Sequence, residues 1–298
     1  MDLPLVTADT GSLLRLDRDP RMLRVRRGTY VDAAAHDAAD RRLRYLTAIA
    51  AVAAARPGAI FARESALALA GLPFGAPVDV FTIGDPTSSG RKAGVRNSHV
   101  AIGDGDVIVD GLARCSIPFA LADLARRGRQ LDAVSAMDAA LATSAVERDA
   151  VLEALRRQGP KGQRRAEWVV AFADAEAESV GESWSRVLLH RLGAPVPELQ
   201  ARIPTVLGDK RADFRWRRPG RRPLAGEFDG FVKYGRIAQE SGEVPAEAVF
   251  REKRREDAIR ATHDVARWVF ADLLDPRRLA RILRAGGLDV RTTPFPGW

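Results

Sequence analysis

The last third of the chain constrains its fold most, because a fixed order of short periodic segments is written there between turn signals. Ser179–Leu192 repeats apolar residues at helical spacing and is closed by Gly193-Ala-Pro195. Gln200–Val206, Arg211–Trp216 and Leu224–Asp229 follow as three β-type runs. Gly208-Asp209 and Pro219-Gly220 separate them. Ala246–Thr262 is a highly charged helix, Val265–Phe270 an apolar strand and Pro276–Ala285 a closing helix. The predicted order is α-β-β-β-α-β-α.

The preceding residues have another texture. Leu23, Val25, Tyr30 and Val31 predict two short strands turning near Gly28, with Arg24, Arg26 and Arg27 pointing outward. Residues 37–56 and 62–71 read as Ala-rich helices, the second closed by Gly71-Leu-Pro73. Val78–Ile83, Val95–Ile102 and Asp106–Val109 are short β-type runs. Ile117–Arg127, Leu131–Ala142, Glu147–Arg157 and Ala166–Ala177 return to helical spacing, broken by Gly159-Pro-Lys-Gly162. The expectation is an α+β multidomain chain of three parts: 1–35, 36–160 and 161–298.

Charge bears on partners. The 298 residues carry 47 Lys+Arg against 39 Asp+Glu, a formal +8. Only Lys92, Lys161, Lys210, Lys233 and Lys253 are lysines, so the positive charge is almost all guanidinium. Arginine binds phosphate bidentately, which favours a DNA partner; codon bias in a GC-rich genome explains the same composition. Lone Cys115 and scattered His36, His99, His190 and His263 make no zinc pattern. Without an apolar run near membrane length, the expected location is cytoplasmic, with no membrane partner.

Three acids stand out by placement. Asp213 sits mid-strand in Ala-Asp-Phe-Arg-Trp, and Glu227 and Asp229 share a strand face in Gly226-Glu-Phe-Asp-Gly230. Neighbouring strands that aim carboxylates at one point suit Mg²⁺ or Mn²⁺. Asp213 and Asp229 also read as ordinary strand-end residues beside turns, and the helix acid Glu182 as a cap. Ser179-Val-Gly-Glu182 fits a capping box, and Asp229-Gly230 is a turn signal. The Arg251–Asp257 run reads as a solvated helix face. Arg215, Arg217, Arg218, Arg221 and Arg222 crowd one turn with no acid between Asp213 and Glu227, as a phosphate-binding loop or a generic basic one.

The string Glu182-Ser-Trp…Gly193-Ala-Pro…Ala212-Asp-Phe…Glu227-Phe-Asp-Gly230…Arg254–Asp257…Val265-Ala-Arg-Trp resembles the Vsr-like branch of the PD-(D/E)XK nuclease superfamily, over roughly residues 175–290. That resemblance implies a restriction-endonuclease-like α/β domain. In it Glu182 is the helix acid, Asp213 and Glu227 are the metal-binding pair, and Asp229 stands in the lysine position, as is common in this branch. Lys233 is a substitute for the lysine, with Lys253 and Arg254 as other candidates.

Arg63-Glu-Ser-Ala-Leu-Ala-Leu-Ala-Gly-Leu-Pro73, Val78-Asp-Val-Phe-Thr82 and Leu121-Ala-Asp-Leu-Ala125 are similar to AbiEi-type antitoxins of actinobacteria, and Arg24–Val31 to the wing of their helix-turn-helix. This implies an incomplete winged-helix segment and an antitoxin-like middle domain. The leading expectation is a metal-dependent DNA endonuclease of defence or repair type. The alternative is a non-catalytic DNA-binding regulator or antitoxin. A third reading is a module that neutralises a cognate toxin protein through the Ala-rich helices.

Overall fold

The computed structural model describes residues 5–7, 13–84, 91–230 and 245–295. The chain is an α+β protein that divides into two compact units, Met1–Phe172 and Ala173–Trp298.

In the first unit, β2 (Met22–Arg26) and β3 (Thr29–Asp32) form the expected hairpin. Gly28 supplies the left-handed turn residue at φ 78°. β1 (Val6–Thr7) pairs with the other side of β3, and α1 (Leu13–Arg18) lies between β1 and β2 in sequence. The hairpin's apolar seal differs from expectation: Tyr30 and Val31 are fully buried, whereas Leu23 on the edge strand is exposed.

The helix expected over 37–56 is two, α2 (Ala33–Ala38) and α3 (Arg41–Ala55). Two aspartates start them separately: Asp32 accepts from the Ala35 N–H at 2.8 Å, and Asp40 from the Leu43 N–H at 2.7 Å. α4 (Arg63–Leu69) is tied by Ser65 to β4 (Val80–Ile83). The Ser65 hydroxyl accepts from the Phe81 N–H at 2.8 Å and meets the Tyr45 hydroxyl at 2.7 Å. β4 runs parallel to β6 (Val95–Ser98), which pairs antiparallel with β5 (Arg91–Lys92). β7 (Val107–Val109) and β8 (Ala113–Cys115) make a further hairpin.

The helices α5 (Ile117–Arg127), α6 (Gln130–Ala142), α7 (Arg148–Arg157) and α8 (Gln163–Phe172) then pack together. The break expected at Gly159–Gly162 is therefore a turn inside this bundle, and the compact unit ends at Phe172. Gly162 has φ 78°, and a Cβ there would lie 2.7 Å from the Arg126 carbonyl oxygen. Close approach of backbones explains the glycine better than a linker does. The last helix starts and stops earlier than the expected 166–177.

The second unit reproduces the expected order. It comprises α9 (Val180–Arg191), β9 (Glu198–Ile203), β10 (Lys210–Trp216), β11 (Leu224–Asp229), α10 (Pro245–Arg260), β12 (Asp264–Val269), a short α11 (Phe270–Leu274) and α12 (Pro276–Ala285). The sheet order is β12-β11-β10-β9. β9, β10 and β11 are an antiparallel meander, and β12 runs parallel to β11 after the crossover that includes α10. Phe214 packs its ring 6.2 Å from Trp216 and 5.4 Å from Trp268. Ile203, Ala212, Ala225 and Ile259 form a second apolar cluster with Val265. Each large side chain so buried contributes about 1.5–3 kcal/mol.

Candidate functional site

The site grows out of β10 and β11. Their ladder is antiparallel through Trp216–Leu224, Arg215–Ala225 and Phe214–Gly226. One residue further along β10, the Asp213 carboxylate itself accepts the Phe228 N–H at 2.8 Å. That bond sets Asp213 against the strand segment that carries Glu227 and Asp229. Phe228 is held from the opposite side, where a Cβ on Gly181 of α9 would lie 1.9 Å from its ring.

Glu227 is 4% exposed and ion-paired twice. Arg255 of α10 donates to both carboxylate oxygens at 2.8 Å, and Arg267 of β12 donates to Oε2 at 2.6 Å. Arg267 also lies 3.4 Å from Asp229 and 3.5 Å from Glu256. Burial disfavours the charge of Arg267, and Glu227, Asp229 and Glu256 more than offset it, so its proton affinity is above that of an ordinary guanidinium.

Glu182 performs the capping role and one more. It accepts from the Ser179 hydroxyl at 2.8 Å and the Glu178 N–H at 2.9 Å, while its own N–H donates to the Ser179 oxygen at 3.2 Å. Gln200 of β9 adds a bond from Nε2 to Oε2 at 2.7 Å. Gln200 holds a left-handed φ of 47°, a strained conformation for a side chain of this kind. The helix acid is thus linked to β9, the strand that pairs with β10.

Of the predicted site residues, the structure brings Asp213 to the Glu227–Asp229 segment and places Glu182 on the capped helix start. Lys233 lies outside the described residues. Lys253 is exposed on α10. The partners that sequence reasoning missed are Arg255, Arg267 and Gln200. Arg255 was hidden in a charge run; Arg267 had a signal, as the one charged residue within the alternating Val265–Val269.

Carboxylate oxygens are the ligand type that a hard divalent cation takes. In the structure, guanidinium groups provide the positive charge beside Glu227. Among the described residues, no three His, Cys, Asp or Glu side chains stand together as a ligand shell.

The predicted basic residues divide by role. Arg24 is exposed and 3.3 Å from Asp17, Arg26 donates to the Ala93 carbonyl at 2.9 Å, and Arg27 is exposed. In the arginine-rich turn, Arg217 and Arg221 are exposed. Arg218 instead donates to the Arg222 and Gly286 carbonyls and to Asp264. Arg222 donates to the Arg260 and His263 carbonyls. With Arg215, which donates to the Arg202 carbonyl at 3.1 Å, three of the five arginines staple backbone.

No known family's sequence profile matches the chain, and no solved structure matches it. Two curated relatives do: the uncharacterized proteins MT2308 and Rv2248 of Mycobacterium tuberculosis, strains CDC 1551 and H37Rv. Each is 34% identical over 123 residues, which is 41% of this chain and 44% of the relative. The chain therefore matches less than half the length of these relatives. Among the described residues, no helix is long and apolar enough to cross a membrane.

Proposed function

We propose that the second unit is a PD-(D/E)XK-type module that hydrolyses phosphodiester bonds in DNA. One observation supports the reading: the hydrogen bond from the Phe228 N–H to Asp213, which holds the β10 acid against the β11 segment of Glu227 and Asp229 in an α-β-β-β-α-β order. Asp213 and Glu227 would hold Mg²⁺ or Mn²⁺, with Asp229 beside them. Such an ion supplies a more acidic bound water and charge stabilisation at phosphorus. From this chain, Glu182 and Gln200 brace the sheet beneath the acids, and Phe228 keeps β11 seated under α9.

A second reading has its own support. Glu227 is matched by Arg255 and Arg267, as expected if the carboxylates only hold the fold together. The chain would then be a non-catalytic DNA-binding regulator or antitoxin, with Arg24 and Arg27 exposed on the β2–β3 hairpin and a toxin protein as partner.

Cleavage of supercoiled plasmid with Mg²⁺ or Mn²⁺, wild type beside Asp213→Asn, separates them. Metal-dependent nicking lost in the variant is the expected result. Absence of nicking from a wild type that retards DNA on a gel selects the regulator.

A further inference from the structure

Two hairpins of the first unit are joined by one bond. Arg26, at the end of β2, donates from Nη1 to the Ala93 carbonyl at 2.9 Å, and Ala93 lies in the turn between β5 and β6. That turn is tight because Ala93 and Gly94 are both left-handed, at φ 48° and 73°. The bond brings the chain neighbours of its two residues together: Arg27 follows Arg26, and Lys92 precedes Ala93. Both are exposed, and among the described residues neither side chain has a hydrogen-bond or ion-pair partner. Arg56, at the C-terminal end of α3, is near enough to Arg26 for its charge to add to desolvation in lowering the proton affinity of that guanidinium. Among the described residues its own side chain is likewise unpartnered.

The positive charge continues along β5, the edge strand of its sheet. Arg91 on β5 is the register partner of Arg96 on β6, so two like charges face each other across an antiparallel pair, which costs stability. One carboxylate answers both: Asp79, 5% exposed, lies 2.6 Å from Arg91 and 3.3 Å from Arg96. Both guanidiniums stay about half exposed. Among the described residues, Asp79 is the one acid paired with any of Arg26, Arg27, Arg56, Arg91, Lys92 and Arg96. The surface therefore holds six cations against one acid.

An excess of one charge on a folded surface repels itself and draws a polyanion. These cations are spread along two hairpins rather than gathered at one point, which suits a line of phosphates and not a single small anion. The rings on the neighbouring strands, Tyr30 of β3 and Phe81 of β4, are buried, so they offer no platform for unstacked bases. Duplex DNA, which carries its charge at the higher line density and keeps its bases stacked, is the form that fits.

We propose that the β2–β3 and β5–β6 hairpins together bind the backbone of duplex DNA. Arg27, Arg56 and Lys92 are the phosphate contacts, and the Arg26–Ala93 bond is the joint that holds the two hairpins to one spacing. The proposal rests on DNA being the partner, in the nuclease and the regulator readings alike. It concerns where the first unit holds the duplex, not whether the second unit cuts it. Contacts of this kind position a duplex without reading its sequence.

Fluorescence anisotropy of a short labelled duplex, titrated with the full chain in EDTA buffer from about 50 to about 200 mM salt, tests this. Each phosphate contact steepens the log–log salt dependence of the affinity by about one. Arg27→Ala and Lys92→Ala should each flatten that slope by about one, and the double variant by about two, on duplexes of unrelated sequence alike. Both residues are exposed, so the variants should fold. Lys161→Ala removes one exposed charge from the turn between α7 and α8 and should leave the slope unchanged. A slope unaltered in the double variant overturns the proposal. So does an equal flattening by Lys161→Ala, which would trace the effect to net charge. A labelled single strand bound more tightly than the duplex overturns it too, as does a duplex left unbound at the lowest salt. Because EDTA prevents metal-dependent cleavage, the two readings fail separately: plasmid nicking with an unaltered slope keeps the nuclease and loses this surface, and the expected slopes without nicking do the reverse.

Discussion

Arg267 and Glu227 are register partners on the parallel strands β12 and β11, with Nη2 2.6 Å from Oε2. Arg255 reaches the same carboxylate from α10 at 2.8 Å. Three elements therefore meet at one buried charge, and its cost is met by two guanidiniums that keep some contact with solvent.

Removing the carboxylate should be expensive. Glu227→Ala leaves two partly buried cations facing each other and should cost about 3 kcal/mol, the low end for a broken buried pair because both arginines retain solvent. Urea unfolding followed by circular dichroism reads the loss. Arg255→Ala should instead leave Glu227 Oε1 without its partner and enlarge the thermal shift produced by Mn²⁺. An unchanged shift would assign Glu227 to the scaffold alone.

Asp213 separates chemistry from folding. Asp213→Asn retains an oxygen for the Phe228 N–H and should keep stability within about 1 kcal/mol while abolishing metal-dependent nicking. Asp213→Ala strands that N–H and should cost about 1–3 kcal/mol besides. Equal nicking by wild type and the asparagine variant would remove Asp213 from the chemistry.

Gly181→Ala probes the seat of Phe228. Its Cβ would sit 1.9 Å from the ring, so α9 or β11 must shift, at a cost of about 1–3 kcal/mol. A melting temperature equal to wild type would show that the ring moves aside freely.

His263 predicts a pH dependence. Its folded pKa is lowered below the ordinary 6.5, first by desolvation and then by Arg215 and Arg222. The unfolded chain thus binds more protons in this window, and stability falls as pH drops from about 6.5 through the folded pKa. His263→Gln should flatten the unfolding midpoint over that range. A slope unchanged in the variant would place its origin elsewhere.

Much of this architecture was legible because it is local. The short run Leu224–Asp229 between the turn at Pro219-Gly220 and Gly230, and the helical repeat with its proline start in Pro276–Ala285, give bounds that the structure keeps. Breaks were harder to read. Gly162 looks like a linker residue, yet it is a close contact with Arg126, a neighbour only in space. The split between α2 and α3 was written in Asp40, a cap inside a run whose apolar spacing continues across it.

At the site, the sequence by itself determined that Glu227 and Asp229 share one strand face, since side chains alternate along an extended chain. It also determined the cap at Ser179–Glu182, whose partners are three residues apart. Tertiary structure alone decided which partners those acids meet. Arg267 lies 40 residues from Glu227 in the chain, and Gln200 lies 18 from Glu182. The register of a parallel strand after a crossover and a left-handed residue within β9 bring them together, and both depend on the packing of the whole sheet, which no local pattern encodes.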